Sequence, residues 1–271
     1  PLVGKVERLS DVLARAGGRI IGYAQVWPDG SAELVVAPGE RRRGAGRALW
    51  ERARSDGAHR VWAHGDLPPA QAFAAALGLV ATRSLLKMGR SLTERDRSPR
   101  PLPPGYAVTS FAERAESATD PVGELQAINA AAFADHPEQG RLTVADLRTR
   151  MAEPWFDPEG LIYVVDTEAP AAPAAARAPI AFRWTKIEGD PGLAPTAGEV
   201  YVVGVSPAYQ GRGLAGPLTD LGLAHLVARG CTGVELYVDG ENTPARQTYE
   251  RAGLRVLTTD RVYAPEGSPA G

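Results

Sequence analysis

The chain repeats itself. AELVVAPGERRRGAGRALWERAR, beginning at Ala32, and YVVGVSPAYQGRGLAGPLTDLGLAHL, beginning at Tyr201, share a β-branched run, a proline, a basic or glycine-rich turn and a helix-like pattern. Aligning Pro38 with Pro207 also aligns Gly44 with Gly213. Downstream, RVWAHGDLPPAQAFAAALGL and ELYVDGENTPARQTYERAGL pair Gly65 with Gly240, Ala70 with Ala245 and Gly78 with Gly253. Such self-similarity constrains the fold more than any single motif, because both halves must be solved by one supersecondary plan. Each copy reads as strand, turn, helix, strand, turn, helix and a final strand, so the expected class is α/β, with a mixed (α+β) sheet and helices packed on it.

Size agrees with duplication: 271 residues exceed the usual span of one domain, about 100 to 200. The boundary is expected at SLTERDRSPRPLPPG, Ser91 to Gly105, where four prolines fall within six residues. This gives domains at 1–95 and 106–271 with a linker at 96–105. Polar stretches at Glu168 to Pro179 and Glu188 to Gly198 read as a mobile hairpin loop and a connection between strands. Thirty Lys+Arg against thirty-two Asp+Glu, a net charge of -2, leave no basic excess for a nucleic-acid partner. With 44% hydrophobic and 23% charged residues the chain is neither disordered nor fibrous. It contains no apolar run of about 18 residues and nothing that reads as a signal peptide. A monomer in the cytoplasm, without a membrane partner, is expected. The single Cys231 excludes an internal disulfide and a cysteine-based zinc site, and no metal is expected; Cys231 itself reads as a small buried residue.

The chemistry collects in the second copy. Strict alternation along GEVYVVGV places Glu199, Tyr201, Val203 and Val205 on one face of a strand and Val200 and Val202 on the other. That strand runs into SPAYQGRGLAG, where Pro207 ends the ladder and Gly211 and Gly213 permit a turn whose N–H groups converge at a helix start. Such a nest suits a pyrophosphate, with Arg212 adding charge at its rim.

The pattern Gln210-x-x-Gly213-x-Ala215, echoed by Arg41-x-x-Gly44-x-Gly46, resembles the acyl-CoA loop of the GCN5-related N-acetyltransferase (GNAT) family. Asn242-x-x-Ala245-x-x-x-Tyr249-x-x-x-Gly253-Leu254 resembles the same family's other motif. The resemblance implies two tandem GNAT domains using acetyl-CoA as co-substrate. Its acetyl-CoA contacts would fall on Val203, Gly204 and Val205, on Gln210, Gly211, Arg212, Gly213, Leu214, Ala215 and Gly216, and on Asn242, Thr243, Pro244, Ala245, Arg246 and Gln247. Tyr249 would protonate the departing thiolate, and Glu199 would be a general base acting through water or a clamp for the substrate ammonium.

HPEQG, PWFDPEG and FRWTK further resemble a tandem branch of the family that acetylates the cysteinyl amine of Cys-glucosaminyl-inositol. That likeness implies substrate contacts at Glu138, Lys186, Glu199 and Tyr237. His136 reads either as an acid/base group or, beside Pro137, as a residue that shapes a substrate loop, and the second is expected. It also implies a substrate-binding glutamate near the start of the chain, where Gly4 stands in register and Glu7 does not.

In the first copy Tyr249 pairs with Ala74, Asn242 with Leu67 and Glu199 with Gly30. The first half is therefore expected to be non-catalytic. Its weaker cofactor site would be Leu34, Val35 and Val36 with Arg42, Arg43, Gly44, Ala45, Gly46 and Arg47. Two other readings stay open: an N-acetyltransferase for a different small-molecule or peptide amine, which would not need HPEQG and FRWTK, and a non-enzymatic acetyl-CoA-binding module, which would not need Tyr249.

Overall fold

The computed structural model describes residues 9–134, 139–169, 177–189 and 196–268. Chain order gives β1 (Ser10–Ala16), β2 (Arg19–Val26), β3 (Ser31–Val36), α1 (Ala45–Ser55), β4 (Arg60–Ala63), α2 (Pro68–Ala76) and β5 (Leu79–Ser91). It continues with β6 (Tyr106–Ser110), α3 (Phe111–Ser117), α4 (Pro121–Ala132), α5 (Val144–Met151), β7 (Leu161–Asp166), β8 (Pro179–Lys186), β9 (Ala197–Val205), α6 (Ala215–Ala228), β10 (Gly233–Asp239), α7 (Thr243–Arg251) and β11 (Arg255–Pro265). The class is α/β with a mixed sheet.

The duplication is visible in the backbone. With the prolines aligned, the short 3-10 turns Pro38–Glu40 and Pro207–Tyr209 coincide, and α2 and α7 are both nine residues long with matching ends. Gly44 (φ 88°) matches Gly213 (φ 79°), and Arg42 (φ 63°) adopts the left-handed conformation that its counterpart Gly211 (φ 75°) adopts without a Cβ penalty.

Contacts divide the chain into two compact units. The first holds the described residues up to Lys87 with Val238–Asn242 and the residues from Leu257 on; the second holds Met88–Tyr237 and Thr243–Val256. This division differs from the contiguous blocks 1–95 and 106–271. The reason lies in the last strand: Arg261, Val262 and Tyr263 of β11 pair antiparallel with Ala63, Trp62 and Val61 of β4. β11 thus lies between β4 and β5 in the strand order, and Tyr263 joins Val26, Trp50, Val61 and Ala74 in the first unit's core.

In the second unit β6, β7, β8 and β9 form an antiparallel run, and β9 is parallel to β10. Phe111, Leu125, Ile128, Leu147, Phe182 and Trp184 make a core where α3, α4 and α5 cover one face. Leu214 and Leu218 of α6 pack on Val164, Ile180 and Ala181. The proline-rich stretch expected as a linker lies along α6: Leu102 joins that second core, and the Arg100 guanidinium pairs with Asp220 at 2.5 Å. The connections at Glu168–Pro179 and Glu188–Gly198 fall partly outside the described residues, as do Gly4 and Glu7 entirely. Among the described residues no helix is long and apolar enough to cross a membrane.

Candidate active site

The site is built on β9. Its ladder with β8 pairs Lys186 with Glu199 and Thr185 with Val200, then Trp184 with Val202, so Tyr201 is the extra residue of a β-bulge. The bulge corrects the strict alternation read from GEVYVVGV. Glu199 and Tyr201 still share a face, but Val202 joins them there, packed with Trp184, while Val203 and Val205 turn to the opposite face against Leu214 and Leu218. Gly204 follows Val202: a Cβ there would lie 2.5 Å from Phe182 Cε1 and 3.1 Å from Phe133 Cε2.

The face that carries Glu199 is charged and aromatic. Residues opposite one another on adjacent strands share a face, so Lys186 on β8, Glu199 on β9 and Glu235 on β10 form one row. Lys186 Nζ lies 5.3 Å from the Trp155 ring centre, 5.8 Å from that of Tyr201 and 2.8 Å from Glu188. Burial pushes the Glu199 carboxyl above its ordinary range; Lys186 pulls it back, and Glu235 and Glu188 push it further up. Tyr237, half-buried and two residues beyond Glu235, stands on the same side of β10.

A buried brace explains why PWFDPEG and FRWTK occur together. Arg183, fully buried, donates from Nη1 to the Gly160 carbonyl at 3.1 Å and from Nη2 to the Leu221 carbonyl at 3.0 Å, while Thr185 Oγ1 donates to Gly160 at 3.0 Å. Asp157 meets His225 of α6 at 3.1 Å and Arg229, just past the end of that helix, at 2.6 Å. Burial lowers the His225 pKa to about 4, so that ring is neutral near pH 7. The segment is thus fastened at Asp157 and Gly160, and Trp155 is held against Trp184 and Tyr201, 5.5 and 5.3 Å between ring centres.

The other end of β9 leads to the nest. Gln210 Nε2 donates to the Val205 carbonyl at 3.2 Å and fixes the turn; Gly211 and Gly213 carry positive φ. The helix cap Leu214 offers no side-chain hydrogen bond, so the first-turn N–H groups of α6 lack an internal acceptor. Arg212 lies over the Tyr209 ring at 4.6 Å, beside the loop. This is a fit for a pyrophosphate: glycine conformations, uncapped amides and an adjacent cation. Leu214 takes part through its backbone alone, since its side chain is in the core. A Cβ on Gly216 would meet the Arg100 guanidinium at 3.1 Å, which adds a cation near the helix start that sequence reading missed.

Tyr249 sits inside α7, nearly buried, and burial pushes its phenol up to about 12. Thr243, Pro244, Ala245, Arg246 and Gln247 form the first turns of the same helix, whereas Asn242, just before it, groups with the first unit. Glu138 and His136 lie outside the described residues.

The first copy keeps the scaffold without the reacting groups. Arg41 Nε donates to the Val36 carbonyl at 3.0 Å, the counterpart of Gln210 on Val205, and α1 also starts without a side-chain cap. Leu34 packs into the first unit's core, while Val35 is exposed. Arg43 pairs with Glu40, and Arg47 donates to the Ala76 carbonyl. Ala74 occupies the buried position of Tyr249.

These observations meet the comparisons with known proteins. The acetyltransferase (GNAT) family profile matches residues 5–79 and 126–254, one stretch in each copy. The chain belongs to the GNAT family. Among its relatives, mycothiol acetyltransferase of Cellulomonas flavigena is 44% identical over 270 residues, spanning 93% of this chain and 73% of that one. The mycothiol acetyltransferase of Thermomonospora curvata is 45% identical over 263 residues, 94% of this chain and 82% of that one. A GCN5-related N-acetyltransferase from Sphaerobacter thermophilus shares the fold, with a TM-score of 0.71 at 21% identity over 97% of this chain and 83% of that one. So does a tandem GNAT protein from the clavulanic acid biosynthesis pathway, with a TM-score of 0.62 at 21% identity over 96% and 82%. This GNAT chain holds, among its described residues, no cluster of three or more His, Cys, Asp or Glu suited to a metal ion.

Sequence reading missed Glu235, Trp155 and Arg100. Glu235 was legible in principle, two residues before Tyr237 on a strand of period two; the other two needed tertiary packing.

Proposed function

We propose that this GNAT chain transfers the acetyl group of acetyl-CoA to the cysteinyl amine of Cys-glucosaminyl-inositol, completing mycothiol, and that the second copy performs the reaction. The observation that carries this reading is β9 itself. One strand presents Glu199 beside Lys186, reverses its faces at Tyr201 and ends in an uncapped anion nest.

The thioester supplies an electrophilic carbonyl and a thiolate leaving group. Glu199, whose carboxyl burial makes more basic, takes a proton from the acceptor ammonium through water. As the C–N bond forms and the C–S bond breaks, a backbone N–H between Val203 and Val205 serves the oxyanion and Tyr249 gives its proton to sulfur; the extra proton still on the acylated nitrogen returns through water to the Tyr249 phenolate, and Glu199 releases its proton to solvent. A phenol held near 12 keeps that proton at neutral pH. Lys186, Tyr237 and Glu138 are assigned to the hydroxyl-rich pseudo-disaccharide, where charged hydrogen-bonding groups suit the ligand better than an apolar pocket. The first copy, with Ala74 and Gly30 at the reacting positions, holds acetyl-CoA or serves structurally, without turnover. We read the protein as a cytoplasmic monomer.

Mass spectrometry of products tests the assignment, with purified protein, acetyl-CoA and a panel of Cys-glucosaminyl-inositol, free cysteine and a cysteine-initiated peptide. Acetylation of Cys-glucosaminyl-inositol at a rate orders of magnitude above the others is expected. Equal rates on free cysteine or the peptide would overturn the acceptor while leaving acetyl transfer in place.

A further inference from the structure

Glu199 has two flanks, and the structure defines both. On β8, Lys186 stands directly opposite it; on β10, Glu235 does, in the parallel ladder that joins Ala197–Glu199 to Gly233–Glu235. Adjacent strands lie about 4.8 Å apart, and paired residues point to the same side, so the three side chains form a row of alternate charge pressure on one carboxylate. Lys186 is held in place, over Trp155 and Tyr201, and its own ion pair is with Glu188.

A base beside a fixed ammonium is a weakened base, because the cation favours the carboxylate over its protonated form. The row supplies the remedy. We propose that Glu235 is a positioning residue for the transfer reaction, one that acts through Glu199 by setting a second carboxylate against Lys186 and so keeping Glu199 basic enough to accept the acceptor's proton. The inference rests on the functional reading above, since it takes Glu199 as the base.

The groups facing Glu199 come from every neighbouring element: Lys186 and, past its end, Glu188 on β8; Glu235 and Tyr237 on β10; and Tyr201 on β9 itself, toward which Arg150 of α5 directs positive charge. On the opposite side of β9, α6 packs on Val203 and Val205, and the buried Arg183 is turned to that side and donates to the Leu221 carbonyl. Lys186 pulls the Glu199 carboxyl down while Glu235 and Glu188 push it up, in keeping with the geometry. Of the two acids, Glu235 is on a paired strand and cannot swing away with its backbone, whereas Glu188 follows the end of β8 and is largely exposed.

Two measurements on the full chain test this. The carboxyl titration of Glu199 is followed by carbon-13 NMR in wild type, Glu235→Gln and Lys186→Met, and the pH profile of kcat/KM is recorded for the same proteins. Removing one unit charge at strand-pair distance should lower the Glu199 titration and the acid limb of the profile by about half to one pH unit in Glu235→Gln. Turnover at the optimum should fall about threefold to tenfold, following the weaker base. Lys186→Met should move the titration the other way, and Glu235→Asp should restore most of the wild-type behaviour. An unmoved titration and acid limb in a folded Glu235→Gln protein would overturn the proposal. The titration requires no acceptor, so a shifted Glu199 in a protein that fails to acetylate Cys-glucosaminyl-inositol would sustain the role of Glu235 on Glu199 and sink the functional assignment instead.

Discussion

Gly204→Ala tests the face reversal on which the site depends. The added methyl would sit 2.5 Å from Phe182 Cε1, 3.0 Å from Ala132 Cβ and 3.1 Å from Phe133 Cε2. Ordinary carbon contacts are about 3.5 to 4.0 Å, so β9 and the Phe182 ring of β8 must separate by about 1 Å. Phe182 is 1% exposed and has no room to yield. Overpacking of this kind costs about 1 to 3 kcal/mol. At about 2 to 4 °C per kcal/mol for a chain of this size, Tm should fall by about 4 to 8 °C in differential scanning calorimetry for a cost of 2 kcal/mol. In Gly204→Ala/Phe182→Leu the losses should fall short of their sum by about 1 kcal/mol, because the leucine gives back the space the methyl needs. Strict alternation along β9 would instead aim residue 204 at α6 and couple it to Leu218. A Tm within 1 °C of wild type, or additive losses with Phe182→Leu, would refute the bulge and the face assignment with it.

Tyr249→Phe should lower turnover by about 10² to 10⁴ with acetyl-CoA binding preserved, measured by stopped-time product assay and calorimetric titration; a wild-type rate removes the acid role. His64 bridges Glu33 and Asp260 in the first unit, and its bond to Glu33, offset in part by burial and reinforced by Asp260, raises its pKa from 6.5 to about 9. The stability from this raised pKa is fully present below pH 6.5 and is lost as pH rises through 9. The Tm gap between wild type and His64→Gln should therefore be widest in acid and close above that range; a gap that widens in alkali contradicts the ion-pair account. Arg42→Gly relieves a left-handed residue at about 1 kcal/mol, partly offset by the freer unfolded chain, so Tm should rise by about 1 to 2 °C, and a fall would show that the Arg42 side chain stabilises the turn.

The repeat was legible because it is written in local signals. Pro38, Gly44 and Gly78 lie in turns, where proline and glycine carry local conformational signals, and needed no tertiary information to match Pro207, Gly213 and Gly253. Cys231 was expected to be buried and is, at 5% exposure. The faces of β9 were misread because a bulge leaves no residue signature in GEVYVVGV: any residue can be the extra one, and the ladder with β8 decides which. The pairing of β11 with β4 was equally silent, since strand order is set by partners two hundred residues apart. Trp155 became part of the site only through Arg183 and Asp157, whose bonds bring a distant segment to β9.

The placement of β11 has a consequence for synthesis. β4 leaves the ribosome about two hundred residues ahead of the strand that fills its open edge. Between Ala63 and its partner Arg261 a ribosome working at about 5 to 20 residues per second needs about 10 to 40 s. Throughout that interval the first copy carries an unpaired strand edge of Arg60–Ala63, and it cannot reach its final hydrogen-bonded state by vectorial folding alone. Nascent chains stalled before residue 255 should accordingly be digested within the first copy by added protease, whereas chains released after Pro265 should resist.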